Sequence, residues 1–206
     1  MSSGANVTVL LLILAAYLTG AIPTSFIVGR IRGIDLRTHG SGNLGATNAF
    51  RVLGWRAAVP VFIVDIFKGW FPTLCFPLWD RSDITLLALA YGAAAIVGHV
   101  FSIYVRFKGG KGVATSAGVL LALAPLAVLI GLVVWSTLVF TTGFVSVGSI
   151  VAAVLLPFVV LAQQGTSPVF WLSVGLAAFV VFAHRSNIKR LRRGEEPSFR
   201  RKKAAP

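Results

Sequence analysis

Apolar residues run along the chain in long blocks, and the polar ones gather in short segments between them. From Val7 to Gly29 there is no charge, and the first lysine or arginine is Arg30. A second block, Ala57 to Trp79, is interrupted by Asp65 and Lys68, and a third runs from Ile84 to Val105. From Val113 to Ala183 the chain carries no charged residue. About 20 apolar residues of helix cross a bilayer core, within a range of about 17 to 25. None of the blocks alternates with the period of two that a membrane barrel requires. Hydrocarbon offers backbone groups no partner, so the pattern predicts helices.

Charge orders these helices across the membrane. All of the 19 lysines and arginines except Lys68 and Arg81 fall between Arg30 and Arg56, between Arg106 and Lys111, or between Arg185 and Lys203. The positive-inside rule puts those three segments in the cytoplasm and the amino terminus and Arg81 on the other side. An even number of crossings must then separate Lys111 from Arg185. Two would need about 35 residues each, whereas four average under about 18. Proline, glycine and polar residues divide the tract near Ala124-Pro125, near Thr141-Thr142-Gly143 and near Gln163-Gln164-Gly165. The expectation is an all-α polytopic membrane protein of about seven transmembrane helices, the first of the last four short or re-entrant. Its amino terminus is outside and its carboxyl terminus cytoplasmic.

Composition agrees: 56% of the 206 residues are hydrophobic and 12% charged, too apolar a balance for a soluble domain. The formal net charge of +13 points toward anionic lipid headgroups, and no nucleic-acid partner is expected. Met1 to Ala16 lacks the basic start of a secretory signal and continues into more apolar chain, so it reads as the first span. Cys75 is the single cysteine, which excludes a disulfide within the chain. No internal repeat is visible, and the reading is one integral-membrane domain over 1-206, with 197-206 a flexible basic tail.

The polar chemistry is confined to the three inside segments. "GSGNLGATNAFRVLG", Gly40 to Gly54, sets glycines among hydroxyl and amide side chains, and Arg51 adds a bidentate fork for phosphate. "FKGGKGVATS", Phe107 to Ser116, puts Lys108, Lys111 and three glycines at the start of an apolar helix, where free amides favour an anion. It is not a Walker A loop, because Val105 stands where that motif needs glycine. "HRSNIKRLRRGEE", His184 to Glu196, follows the last block, and helical spacing puts His184, Asn187 and Ile188 on one face. Alone, the first segment reads more readily as an ordinary loop and His184 of the third as structural, while the second is balanced between an anchoring loop and a phosphate site.

Taken together and in order, "GSGNLGATN", "GHVFSIYVRFKGGKGVAT" and "HRSNIKRLRRGEE" resemble the three motifs of the bacterial acyl-phosphate:glycerol-3-phosphate acyltransferase family, PlsY, over essentially the whole chain. Departures are Leu44 in the first motif and the arginine-lysine tail. The resemblance implies a small enzyme of the bacterial inner membrane with a cytosolic active site. It would move a fatty acyl group from acyl phosphate to the 1-hydroxyl of glycerol 3-phosphate, the first acylation of phospholipid synthesis. Its partners would be those two substrates and membrane lipid.

Two phosphorylated substrates suit glycine loops with Arg51, Lys108 and Lys111, and electrostatics with proximity would carry the catalysis. Among the carboxylates, Asp80 and Asp83 fall on the outer face, Asp35 lies outside the motifs, and Asp65 reads as the ion-pair partner of Lys68. Glu195 and Glu196 adjoin the arginine-rich tail. Histidine is then the expected base, with His184 favoured and His39 set aside; a substrate phosphate is the other acceptor for the proton. Ser41 reads as a ligand rather than a nucleophile, since no base adjoins it. The expected catalytic residues are His184, Asn187, Lys111, Arg51 and Ser41. The expected phosphate-binding residues are Ser41, Gly42, Asn43, Thr47, Asn48, Arg51, Lys68, His99, Ser102, Lys108, Gly109, Gly110, Lys111, Gly112 and Thr115. One pocket formed by all three segments is expected, with the amides of 109 to 112 and Lys111 on one phosphate. Arg51, Ser41 and Asn187 would hold the other. No metal or cofactor is expected. The competing reading is a permease for a phosphorylated solute, which predicts more polar spans; a lipid-binding scaffold is a third.

Overall fold

The structure, a computed structural model, describes residues 3–80 and 85–199; Arg81, Asp83 and the basic residues from Arg200 to Lys203 lie outside them. The described residues form ten α-helices and one 3-10 turn, with no strand among them. They cluster into two compact units, one ending at Leu123 and the other beginning at Ala124.

The first unit holds α1 (Ser3–Ala21), α2 (Thr24–Ile31), α3 (Ala46–Leu53), α4 (Trp55–Asp80), α5 (Thr85–Val100) and α6 (Val113–Leu123). Close packing rests on glycine, as expected where helices associate without a hydrophobic driving force. A Cβ on Gly20 would lie 2.0 Å from the carbonyl oxygen of Ala95, and one on Gly98 would lie 2.1 Å from that of Tyr17, so α1 and α5 meet backbone to backbone. The same holds for α4 and α6, through Gly69 against Thr115 and Gly118 against Ile66. The run from Val7 to Gly29 is broken at Ile22-Pro23, which separates α1 from α2. Proline cannot continue the ladder, and the last carbonyls of α1 need other donors. Lys68 Nζ supplies one to Ile22 O at 3.0 Å, and Ser102 Oγ supplies another to Ala21 O.

Helix α4, with 26 residues and Pro60, Pro72 and Pro77 inside it, is about 39 Å long, enough to cross a bilayer core. Its last residue, Asp80, accepts a hydrogen bond from the Tyr91 hydroxyl. Helix α5 stops at Val100, before the expected boundary at Val105. After a 3-10 turn, Ile103–Val105, the chain reverses through Arg106 and Phe107, both at positive φ (57° and 60°). Helix α6 has 11 residues, about 16 Å, too short to span.

The second unit holds α7 (Pro125–Thr142), α8 (Val145–Gln164), α9 (Pro168–Ala183) and α10 (Arg185–Arg192). The breaks between α6, α7, α8 and α9 fall where proline and glycine place them in the sequence. Among the described residues, five helices or helical runs are long and apolar enough to cross a membrane, and a sixth follows if α9 and α10, bent by 53°, count as one. The expectation of about seven counts α6 as the short one. The polarity is that of a lipid-facing fold: Leu10, Ile63, Leu78, Val133, Phe158 and Trp171 point outward, while Asn48, Asp65, Lys68, Thr115 and Ser173 are buried. The expected flexible tail begins tied down, because Phe199 N–H donates to Gly143 O at 3.0 Å.

Candidate functional site

The first motif is a loop built around two side chains. Asp35 accepts from Arg37 Nη2 at 2.7 Å and from the Arg37 N–H at 3.0 Å, and Arg30 lies 3.5 Å away. The hydrogen bonds from Arg37 hold its carboxyl down at about 2, so it is charged and fixes the loop's entry. Leu36 and Leu44 then enter a core with Ala49, Ala58, Val61 and Val105, which seats the loop on α3 and α4. Asn48, 1% exposed, closes the turn: its Oδ1 accepts from the Ser41 N–H at 2.8 Å, and its Nδ2 donates to Leu36 O and His39 O, each at 3.1 Å. The φ of +64° at Gly40 is in the left-handed region, and a Cβ there would meet Asn48 Oδ1 at 2.3 Å. Asn48 thus serves the loop, and Gly42, also at positive φ (+71°), serves its turn. Ser41 and Thr47 are exposed, Asn43 and Arg51 half-buried, and these four are the side chains the motif offers outward.

The second motif is a turn folded back on the end of α5. The Gly109 N–H donates to Val100 O at 3.0 Å and the Gly110 N–H to His99 O at 3.1 Å. These two amides satisfy the last carbonyls of α5. Their lack of side chains is what allows the fold: a Cβ on Gly109 would sit 1.9 Å from His99 O, and one on Gly110 2.2 Å from His99 Nε2. After Gly112, at φ +76°, α6 begins, and the first four N–H groups of a helix have no intrahelical acceptor. Lys111 is half-buried beside that helix start, whereas Lys108 is exposed.

Beneath the turn lies a buried charged group. Asp65 Oδ1 and Lys68 Nζ are 2.7 Å apart with both side chains 3% exposed, and His99 Nδ1 is 3.8 Å from the same oxygen. Lys68 is therefore bound by Asp65 and Ile22, His99 is packed against Gly110, Ser102 is bonded to Ala21, and Thr115 is fully buried against Gly69. All four of these expected phosphate ligands are buried.

In the second unit His184 is the residue joining α9 to α10, 4% exposed, with Nδ1 2.8 Å from Val180 O. A carbonyl only accepts, so Nδ1 carries the proton, and in the neutral ring the lone pair is on Nε2. Asn187 is buried and donates from Nδ2 to Glu196 Oε1 at 2.6 Å. The same carboxylate accepts from Ser146 Oγ at 2.9 Å and from Arg190 Nε at 2.7 Å. Burial would raise the pKa of Glu196, but the hydrogen bonds from Asn187, Arg190 and Ser146 outweigh it and hold the group below its ordinary value. Sequence reasoning gave Glu196 no role, noting only that it adjoins the arginine-rich tail. The available signal was Gly194, which at φ +69° turns the chain back so that the Glu195 N–H reaches Arg190 O.

Comparison with known proteins gives one answer throughout. A family model described as glycerol-3-phosphate acyltransferase matches residues 10–194. A protein of Geotalea daltonii named glycerol-3-phosphate acyltransferase is 43% identical over 93% of this chain and 98% of its own. One of the same name from Bacillus cereus is 46% identical over 93% and 95%. The crystal structure of PlsY, an integral membrane glycerol 3-phosphate acyltransferase, in its glycerol 3-phosphate form matches with a TM-score of 0.87 at 35% identity, covering 93% of this chain and 95% of that one. Its lysophosphatidic acid form matches at 0.84 and 34%, with the same coverage.

Proposed function

The chain belongs to the glycerol-3-phosphate acyltransferase family, and from that premise we propose that it transfers a fatty acyl group from acyl phosphate to the 1-hydroxyl of glycerol 3-phosphate. It is a multi-pass membrane protein. The acceptor follows the names of its relatives; acyl phosphate as donor is the finer reading, and the second motif supports it.

In the reaction the 1-hydroxyl oxygen bonds to the acyl carbonyl carbon, and the bond from that carbon to the phosphate oxygen breaks. The products are 1-acylglycerol 3-phosphate and inorganic phosphate. Phosphate leaves readily, so the protein's task is to bind two phosphates, orient the hydroxyl and steady the charge that develops. Lys111 with the amides that open α6 is the proposed cradle for one phosphate, and Arg51, Ser41, Asn43 and Thr47 are the proposed ligands of the other. His184 takes the hydroxyl proton on Nε2, a role that its Nδ1 bond to Val180 prepares. Asn187 positions this segment through Glu196. The observation that carries the reading is the glycine turn itself. It is locked onto the carbonyls of His99 and Val100, which fixes a helix start and a half-buried lysine at the edge of an apolar helix.

The proposed setting is the bacterial inner membrane, with the three motifs facing the cytoplasm, as the distribution of lysine and arginine favours. Single cysteines introduced at positions 108 and 32 of a Cys75→Ala protein should react with a membrane-impermeant thiol reagent only after the cells are opened. For the reaction, purified protein should release phosphate from palmitoyl phosphate only when glycerol 3-phosphate is present. Equal turnover with acyl-CoA or acyl carrier protein as donor would overturn the donor assignment.

A further inference from the structure

Helix α10 has two faces of different use. Asn187 and Arg190 point to Glu196 and hold the helix in its own unit. Arg185, Ile188, Lys189 and Arg192 follow the spacing of one helical stripe and, with Arg193, line an open groove of about 470 Å³ on the other side. Four of these five side chains are cations. Among the described residues no carboxylate pairs with Lys189, Arg192 or Arg193; the nearby buried acid, Glu196, is engaged by Asn187, Arg190 and Ser146. By contrast, Arg30 and Arg37 pair with Asp35 and stack on the Phe26 ring.

The groove also has an apolar side. Ile188 lies among the cations, and the Arg185 guanidinium is 4.4 Å above the ring of Phe182, itself 62% exposed at the end of α9. The 53° bend places this cationic face directly after α9, an apolar helix of 16 residues that reaches the length of a membrane span only when counted together with α10. A ligand with a phosphodiester and an acyl chain satisfies both features, whereas a soluble phosphate would leave Ile188 and Phe182 unused. We infer that the outward face of α10 is a binding site for the headgroup of an anionic phospholipid, separate from the groups assigned to acyl transfer. The inference rests on the multi-pass membrane reading and not on the choice of acyl donor.

The test uses full-length protein stripped of lipid in detergent and titrated with phosphatidylglycerol or with phosphatidylcholine of the same chains, bound lipid being counted by native mass spectrometry. Phosphatidylglycerol should bind tighter by about tenfold or more. The triple variant Lys189→Gln/Arg192→Gln/Arg193→Gln should lose that preference, while the charge-matched Arg32→Gln/Arg56→Gln/Arg106→Gln keeps it. Should the first triple not purify folded, Lys189→Glu alone should weaken the preference in the same direction. Equal affinity for the two lipids, equal loss in both triples, or displacement of phosphatidylglycerol by inorganic phosphate would each overturn the assignment. No acyl donor enters the measurement, so its failure leaves the transferase reading untouched.

Discussion

Asn187 and Glu196, nine residues apart, meet in a 2.6 Å hydrogen bond that turns the end of the chain back onto the helix carrying the third motif. Since Ser146 on α8 and Arg190 on α10 share that carboxylate, one buried acid joins three segments of the second unit. Glu196→Ala should therefore lower stability by about 2 kcal/mol or more, because it leaves buried donors unpaired.

The same carboxylate gives a pH dependence of known sign. Its folded-state value is below the ordinary 4.5, so its contribution is full above that value and is lost as pH falls through the lower, folded one. Asp35 acts in the same direction but in a lower window, between 3.8 and about 2. The unfolding temperature of the wild type should begin to fall just below 4.5, and Glu196→Gln should remove that first part of the fall while keeping the Asp35 part. An unchanged profile in Glu196→Gln would show that the carboxylate titrates alike in the folded and unfolded protein.

The glycine turn makes a third prediction, from contact distances. Gly109→Ala and Gly110→Ala each force a methyl group into His99, so the turn must shift by an ångström or so. Displacements of that size at a site can cost about 100-fold in rate, and acyl transfer should drop by about that factor. Gly33→Ala is the control. It also replaces a glycine at positive φ, +71°, but nothing lies within 4 Å of the new methyl. It should cost about 1–2 kcal/mol of stability and little activity.

How much of this was legible in the sequence depended on whether the partner was local. The ends of α6, α7 and α8 were readable because Pro125, Gly143 and Gly165 stand beside polar or small residues that divide the uncharged tract into shorter pieces. The Asp65–Lys68 pair was readable because two charges three residues apart in an apolar block have little choice but each other. The bond from Lys68 to Ile22 was not, since Pro23 creates its acceptor 46 positions away. The loop role of Asn48 was hidden too: an asparagine in a glycine loop looks like a ligand until the carbonyls of Leu36 and His39 are known to face it. His99, Ser102 and Thr115 belong to the motifs, and their burial was not legible in the sequence either.

Lys108 and Lys111, three residues apart in the second motif, should separate in function as they do in exposure. Lys111 is half-buried beside the first amides of α6, and Lys108 is exposed on the far side of Gly109 and Gly110. Lys111→Ala should cut kcat/KM for acyl transfer by about 100-fold, the scale of losing one charged stabilising group. Lys108→Ala should cost no more than about threefold, as expected of an exposed cation. Steady-state kinetics on the folded variants decides this, and comparable losses for both would mean that the two lysines share the phosphate.

The pair Asp65 and Lys68 should behave as a unit with an unequal cost for its two halves. Each side chain is 3% exposed, so removing one partner leaves the other's charge buried, a loss of about 3–5 kcal/mol. Lys68 also caps the carbonyl of Ile22 where α1 is broken by Pro23, so Lys68→Met strands that oxygen as well as Asp65. Asp65→Asn leaves the cap in place and should be the milder change. In Asp65→Asn/Lys68→Met no charge remains, and the double variant should lose less than the two single losses combined, by about 2 kcal/mol or more. It should still fall short of the wild type, because the Ile22 oxygen has no replacement donor. Unfolding in detergent of the four proteins measures the cycle, and strictly additive losses would mean that the ion pair contributes nothing beyond its separate contacts.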